Sequence, residues 1–140
     1  MIDQETYAKS LAKLEEKEKA NKIAFENGQA FMKLYGETIQ KAKNEKRQIF
    51  LLFTLSGCDG CNVLKYTIEN DKQVQNYMNK YLFLNCDISN TRTNLTEKYN
   101  LYSYPACFII DSNENIVKQR IGCPITGGAS RNLIHWMISK

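Results

Sequence analysis

The chain has 140 residues, 43% of them hydrophobic and 11% aromatic, with a net charge of +4. That supports one packed domain with room for an extension, and no run approaches the roughly 18–20 apolar residues of a membrane span. Residues 1–47 carry ten basic and eight acidic side chains and the remainder nine and seven, so the charge forms no stripe of the kind that binds nucleic acid.

In chain order, residues 1–46 read as helix. Leu11, Leu14, Ala20, Ile23, Ala24, Phe31, Leu34, Tyr35 and Ile39 recur at loose helical spacing. Asn27-Gly28 and Gly36 read as interruptions, giving a first helix over about 3–26 and a second near 29–46. The charged stretch Leu14–Lys19 reads as a solvated helical face, or else as a face for a partner or a second copy of the chain. Ile49–Leu55 is apolar throughout and uncharged, which suits a strand buried on both faces.

Cys61–Glu69 continues as helix, with Val63, Leu64 and Ile68 inward. Asn70-Asp71 can re-cap a further helical piece in which Val74, Tyr77 and Met78 face in. Tyr81–Ile88 reads as a strand, and Asn94 with Glu97 as the cap of a short helix. Ala106–Ile110 and Ile116–Ile121 read as strands joined by the turn-forming run Asp111–Asn115. Arg131–Ser139 closes as an amphipathic helix with Leu133, Ile134, Met137 and Ile138 inward, while Trp136 packs at the core or its rim and His135 faces solvent. The order is β-α-β-α-β-β-α after a leading helical segment.

Chemistry concentrates at Cys58-Asp59-Gly60-Cys61, directly after the first strand. At a helix N-terminus, free backbone N–H groups and the helix dipole favour a thiolate at Cys58. Cys61 lies one turn on, within disulfide reach. The competing readings are a zinc half-site and two unrelated thiols. Zinc needs two more ligands, whereas Cys86, Cys107 and Cys123 are scattered and His135 is the only histidine. Asp59 is a favourable first-turn carboxylate. It also sets negative charge beside Cys58, which opposes the thiolate and makes a dithiol more reducing. Cys86 alternates with Leu84 and Ile88 on an inner face. Cys86 and Cys107 both read as small buried hydrophobes. Pro124 reads as a helix-start proline.

That element order, with Cys58 and Cys61 at the first strand's end, resembles the thioredoxin family, and within it the branch that includes the C-terminal domain of the bacterial inner-membrane disulfide reductase. Ala42–Arg47 resembles that branch's charged lead-in. Asp71–Val74 resembles its helix break. Tyr104-Pro105 resembles the family's cis-proline, and Gly122 its substrate-groove glycine. The resemblance covers about residues 36–140.

It implies an α/β thioredoxin fold, a central mixed sheet of about four strands flanked by helices, with a helical extension over 1–35 that the fold does not need. It implies Cys58 and Cys61 as catalytic residues. Gly57, Asp59, Gly60, Tyr104, Pro105, Gly122 and Cys123 would line the substrate groove, with no metal and no organic cofactor. Three positions depart from the pattern. Gly57 stands where the family usually has Trp, which removes an aromatic wall. Leu52 stands where many members bury an acid, which removes a proton acceptor for Cys61. Tyr104 replaces a small or β-branched residue.

The expected activity is reduction of protein disulfides, with an unidentified electron donor restoring the dithiol. A non-catalytic binding module is the first alternative. A metal-binding protein using Cys58, Cys61 and Cys123 is the second. The polar, acidic start Met1–Glu5 carries no secretory signal. The expected location is therefore the cytoplasm, or a particle assembled there, with a trimmed secreted or periplasmic form also open.

Overall fold

Helix α1 runs unbroken from Gln4 to Glu45, 42 residues. The computed structural model describes residues 3–122 and 128–139. Asp3 caps the helix by accepting the Thr6 N–H at 2.7 Å, and Lys46 ends it in the left-handed conformation at φ 55°. The two helices expected from Asn27-Gly28 and Gly36 are therefore one. A glycine inside a helix costs only about 1 kcal/mol, and at Gly28 the missing side chain has a use. A Cβ there would collide with the carbonyl oxygen of Arg92, so the glycine lets a loop from the far side of the domain lie on the helix. Gly36 meets nothing, and the helix passes through it.

The buried face of α1 is Gly28, Phe31, Tyr35, Thr38 and Ala42, a 3-4-3-4 spacing that places them on one stripe. Leu34, expected inward, is 48% exposed. From Asp3 to Ile23 every side chain is exposed, so the first half of α1 projects beyond the domain. The expected boundary after residue 35 falls inside this helix, and Phe31 and Tyr35 on its N-terminal side belong to the core.

Strand β1 (Gln48–Thr54) sits between β2 (Tyr81–Asp87), which it pairs in parallel, and β3 (Ala106–Ile110), which it pairs antiparallel; β4 (Ile116–Ile121) completes the order β2-β1-β3-β4. Ile49, Leu51 and Phe53 pack towards α1 and towards Leu95 and Tyr99 at the short helix α4 (Leu95–Lys98). Phe50 and Leu52 pack on the other face, with side chains from α2 (Asp59–Asn70), α3 (Lys72–Met78) and α5 (Ala129–Ile138). The absence of charge from this strand follows: Ile49 to Phe53 are all fully buried.

Three corrections follow from packing. In α5 Leu133, Trp136 and Met137 are buried and Ile134 packs half-buried against them, as expected of it, while Ile138 is 53% exposed. Trp136 sits edge-on to Phe50 at 5.7 Å and takes the place expected of Ile138. Val63 and Tyr77 lie at the surface, leaving Leu64, Ile68, Val74 and Met78 as the inward set. Asn94 precedes α4 without a side-chain cap, and Thr93 Oγ1 instead accepts the Leu95 N–H at 3.1 Å. The expected break at Asp71 is present. This residue ends α2 and caps α3, accepting the Val74 N–H at 3.0 Å.

A polar link holds α1 to the opposite turn. Tyr35 donates to Glu114 Oε1 at 2.6 Å, and its oxygen lies 2.6 Å from that of Tyr99. Burial, then the bond to Glu114, holds the Tyr35 phenol far above its ordinary value, so it stays a donor. Lys118 closes α5 from β4, donating through Nζ to the carbonyls of Trp136, Met137 and Ser139 at the negative end of the helix.

Candidate functional site: a dithiol at a helix N-terminus

The apolar strand β1 ends at Thr54, and the chain turns through Leu55, Ser56 and Gly57 into α2. Gly57 takes φ 74°, a left-handed conformation that a side chain would strain. Cys58 is the N-cap of α2 in extended conformation, and its Sγ accepts the Cys61 N–H at 3.1 Å. A sulfur thus takes the role usually filled by a Ser or Asp oxygen, which directs an unpaired helix donor at the atom that carries negative charge when reduced.

Cys58 and Cys61 form a disulfide with Cα atoms 5.2 Å apart, within the ordinary range. Cys58 is half-buried, whereas Cys61 is 1% exposed. Asp59 is exposed and Gly60 half-buried in the first turn between them.

A second segment, 46 residues away, forms the opposite wall. The Tyr104–Pro105 bond is cis, and the Tyr104 carbonyl oxygen lies 3.7 Å from Cys58 Sγ. Pro105 is buried, and its carbonyl accepts the Gly122 N–H at 2.7 Å, with Gly122 at φ 87°. The structure thus brings together Gly57, Cys58, Asp59, Gly60, Cys61, Tyr104, Pro105 and Gly122. Cys123 and Pro124 lie outside the described residues.

The Tyr104 ring packs against the cluster that includes Cys86, and burial raises its phenol. Burial, reinforced by the charge of Asp87, pushes the Cys86 thiol up to about 11, so it is an inert neutral group near neutral pH. Cys107 is 1% exposed in β3. Leu52 is fully buried in the cluster under α2, α3 and α5. Among the described residues no group of three His, Cys, Asp or Glu is placed to hold a metal.

Three polar residues that the sequence does not tie to the site, Ser56, Asp87 and Ser89, meet beside it. Ser89 Oγ accepts the Ser56 N–H at 2.8 Å, Asp87 Oδ1 accepts the Ser89 N–H at 2.9 Å, and Ser56 Oγ lies 3.5 Å from Asp87 Oδ2. Asp87-x-Ser89 is a local turn signature. Its partner Ser56 stands 33 residues earlier, a pairing no local pattern reveals.

A thioredoxin-like family model matches residues 30–112, more than half of the chain, and the chain belongs to that family. It carries a thioredoxin-like fold with a Cys-x-x-Cys pair at Cys58 and Cys61. Among solved structures, the reduced C-terminal domain of DsbD from Neisseria meningitidis aligns with a TM-score of 0.62 at 16% identity, covering 78% of this chain and 96% of that one. A thioredoxin from Thermus thermophilus aligns at 0.61 and 14% identity, covering 74% and 80%. The germline-specific thioredoxin Deadhead from Drosophila melanogaster aligns at 0.60 and 23% identity, covering 76% and 90%. At these identities the likeness is one of fold. No curated protein sequence matches the chain.

Proposed function

We propose that the protein is a thiol–disulfide oxidoreductase that reduces disulfides in protein substrates. The observation that carries this reading is the asymmetry of the dithiol. Cys58 is half-exposed and its Sγ receives a backbone N–H of α2, while Cys61 is buried one turn behind it.

In the reduced protein, the Cys58 thiolate attacks one sulfur of a substrate disulfide. The substrate S–S bond breaks, a substrate thiolate leaves, and a mixed disulfide forms. The Cys61 thiolate then attacks Cys58 Sγ and releases the second substrate thiolate. The protein is left as the Cys58–Cys61 disulfide, two electrons poorer, and a donor dithiol must reduce it again. The backbone of Tyr104, beside Cys58 Sγ, offers hydrogen-bonding groups to an extended substrate segment, in the manner of strand addition. Gly57, Asp59, Gly60 and Gly122 line the remainder of this groove in the same reading. The working compartment is a reducing one such as the cytoplasm, and the projecting half of α1 is available for self-association.

A second reading, a binding module with a slow dithiol, is favoured by one observation: Leu52 fills the space under α2 with hydrocarbon, so Leu52 offers no carboxylate to take the Cys61 proton. Insulin reduction driven by dithiothreitol separates the two. The oxidoreductase accelerates insulin precipitation, and Cys58→Ser abolishes the effect. Wild-type protein whose dithiol is reduced but which gives no acceleration overturns the enzyme reading in favour of the binding module.

A further inference from the structure

The connection between β2 and α4, residues 88–94, is fastened at both of its sides. On one side it lies on α1. The Arg92 N–H donates to the Ala24 carbonyl at 3.0 Å, Asn27 Nδ2 donates to the Asn90 carbonyl at 2.8 Å, and Arg92 Nη2 lies 3.3 Å from Asn21 Oδ1. Gly28 supplies the clearance that this approach needs. On the other side, Ser89 Oγ accepts the Ser56 N–H at 2.8 Å.

Ser56 is two residues before Cys58, and the residue between them is Gly57, at φ 74° and on a side of the chain where a Cβ would meet nothing within 4 Å. Glycine has the widest backbone freedom of any residue. The approach to Cys58 is held at one end by the Cys58 cap on α2 and at the other by the Ser89 hydroxyl on the Ser56 N–H, with the Ile88 N–H on the Thr54 carbonyl at 2.9 Å and Ser56 Oγ 3.5 Å from Asp87 Oδ2 behind it. Asp87 orients that hydroxyl's own backbone by accepting the Ser89 N–H.

We infer that Ser89 is a positioning residue for the Cys58–Cys61 dithiol, and that α1 acts on the same dithiol by holding the 88–94 loop through Asn27 and Gly28. The inference rests on the oxidoreductase reading for its meaning, although its geometry is independent of it. Without the Ser89 hydroxyl, the Ser56 backbone loses its 2.8 Å tether and keeps the longer 3.5 Å contact of its own hydroxyl with Asp87, so Gly57 moves more freely and Cys58 spends less time with its sulfur on the Cys61 N–H. The thiolate then loses part of its stabilisation, and Cys58 reacts more slowly at neutral pH.

The test is the rate of iodoacetamide modification of Cys58 in the reduced full-length protein, followed on its own peptide by mass spectrometry from pH 5 to 9. Ser89→Ala is expected to slow the reaction at pH 7 by about fivefold, the worth of one ordinary hydrogen bond, and to move the pH midpoint upward. Ser89→Thr, which keeps the hydroxyl, restores the wild-type curve. Asn27→Ala, an exposed change that leaves the core intact, slows Cys58 in the same direction. The double variant with Ser89→Ala is no slower than Ser89→Ala alone, because both act through one loop.

A Ser89→Ala protein with a lowered melting temperature and an unmoved pH curve overturns the positioning role. Rates that multiply in the double variant overturn the part assigned to α1. If the curve moves as expected while wild-type protein reduces no insulin, the oxidoreductase reading falls and the positioning stands. If insulin is reduced normally by every variant and the curves coincide, the reverse holds.

Discussion

Ser130 on α5 donates its hydroxyl hydrogen to Asp71 Oδ2 across 2.6 Å, joining the first turn of the last helix to the point where α2 gives way to α3. The same carboxylate accepts the Val74 N–H, and these bonds, Ser130 first, hold Asp71 below the usual carboxylate value. A carboxyl whose value is lower in the folded than in the unfolded chain binds fewer protons when folded. Its stabilisation is complete above the unfolded value near 3.8 and is lost as pH falls through the lower folded one. Ser130→Ala should therefore melt several degrees below wild type at pH 7, and the gap should close in the acid range below that window. Thermal scans by circular dichroism across pH 2–7 check this. A gap that is constant down to pH 2 would mean the serine acts by packing alone.

Truncation of α1 should divide sharply by position. Residues 3–20 touch no core, so removing them should leave the melting temperature nearly unchanged. Removing residues 1–35 takes Phe31 and Tyr35 out of the main cluster, with the Tyr35 bond to Glu114. Loss of a buried aromatic side chain alone costs about 3–5 kcal/mol, a large part of a small domain's stability. The shorter chain should lose cooperative unfolding. Melting curves of the two truncations, with sedimentation to read any change in self-association, are the measurement.

The two cysteines should differ in order of attack. Alkylation of the reduced protein at neutral pH should label Cys58 before Cys61, since Cys61 is 1% exposed. Cys61→Ser should accumulate a mixed disulfide with substrate, because the resolving thiol is gone. Peptide mapping reads both results, and prior labelling of Cys61 would reverse the assigned roles.

The dithiol should be reducing. Asp59 is exposed in the first turn beside Cys58 and no histidine lies between the cysteines, so the helix N-terminus favours the thiolate while Asp59 opposes it. Equilibration with glutathione should give a potential nearer to about −270 mV than to about −120 mV. Asp59→His should raise it. A wild-type value above roughly −180 mV would show that Asp59 does not set the poise.

Much of this architecture is legible in the chain because its signals are local. An uncharged apolar run marks β1, Asp71 marks the helix break, and Asp111–Asn115 marks the hairpin, where Asp111 accepts the Asn113 and Asn115 N–H groups. The position of the dithiol follows from the strand before it and the helix after it. What the sequence hides depends on partners far along the chain. Gly28 reads as a helix breaker until Arg92, 64 positions later, is seen lying on it. Three of the five residues in α1's buried stripe are Gly28, Thr38 and Ala42, which carry little hydrophobic signal, while Leu34 carries a strong one and is exposed. In α5, Trp136 and Ile138 both suit an apolar face, and the edge contact with Phe50 decides between them. The Ser56–Ser89 bond has no periodicity at all.

The unbroken helix also governs how the protein behaves in a size measurement. About 20 residues of α1 reach past the domain, a rod of roughly 30 Å at 1.5 Å per residue. A compact body of about 100 residues has a radius of gyration near 13 Å, so the rod more than doubles the molecule's reach in one direction. Such a particle diffuses more slowly than a sphere of equal mass. A single chain will leave a gel-filtration column ahead of globular standards of equal mass, and light scattering rather than elution volume gives its true mass.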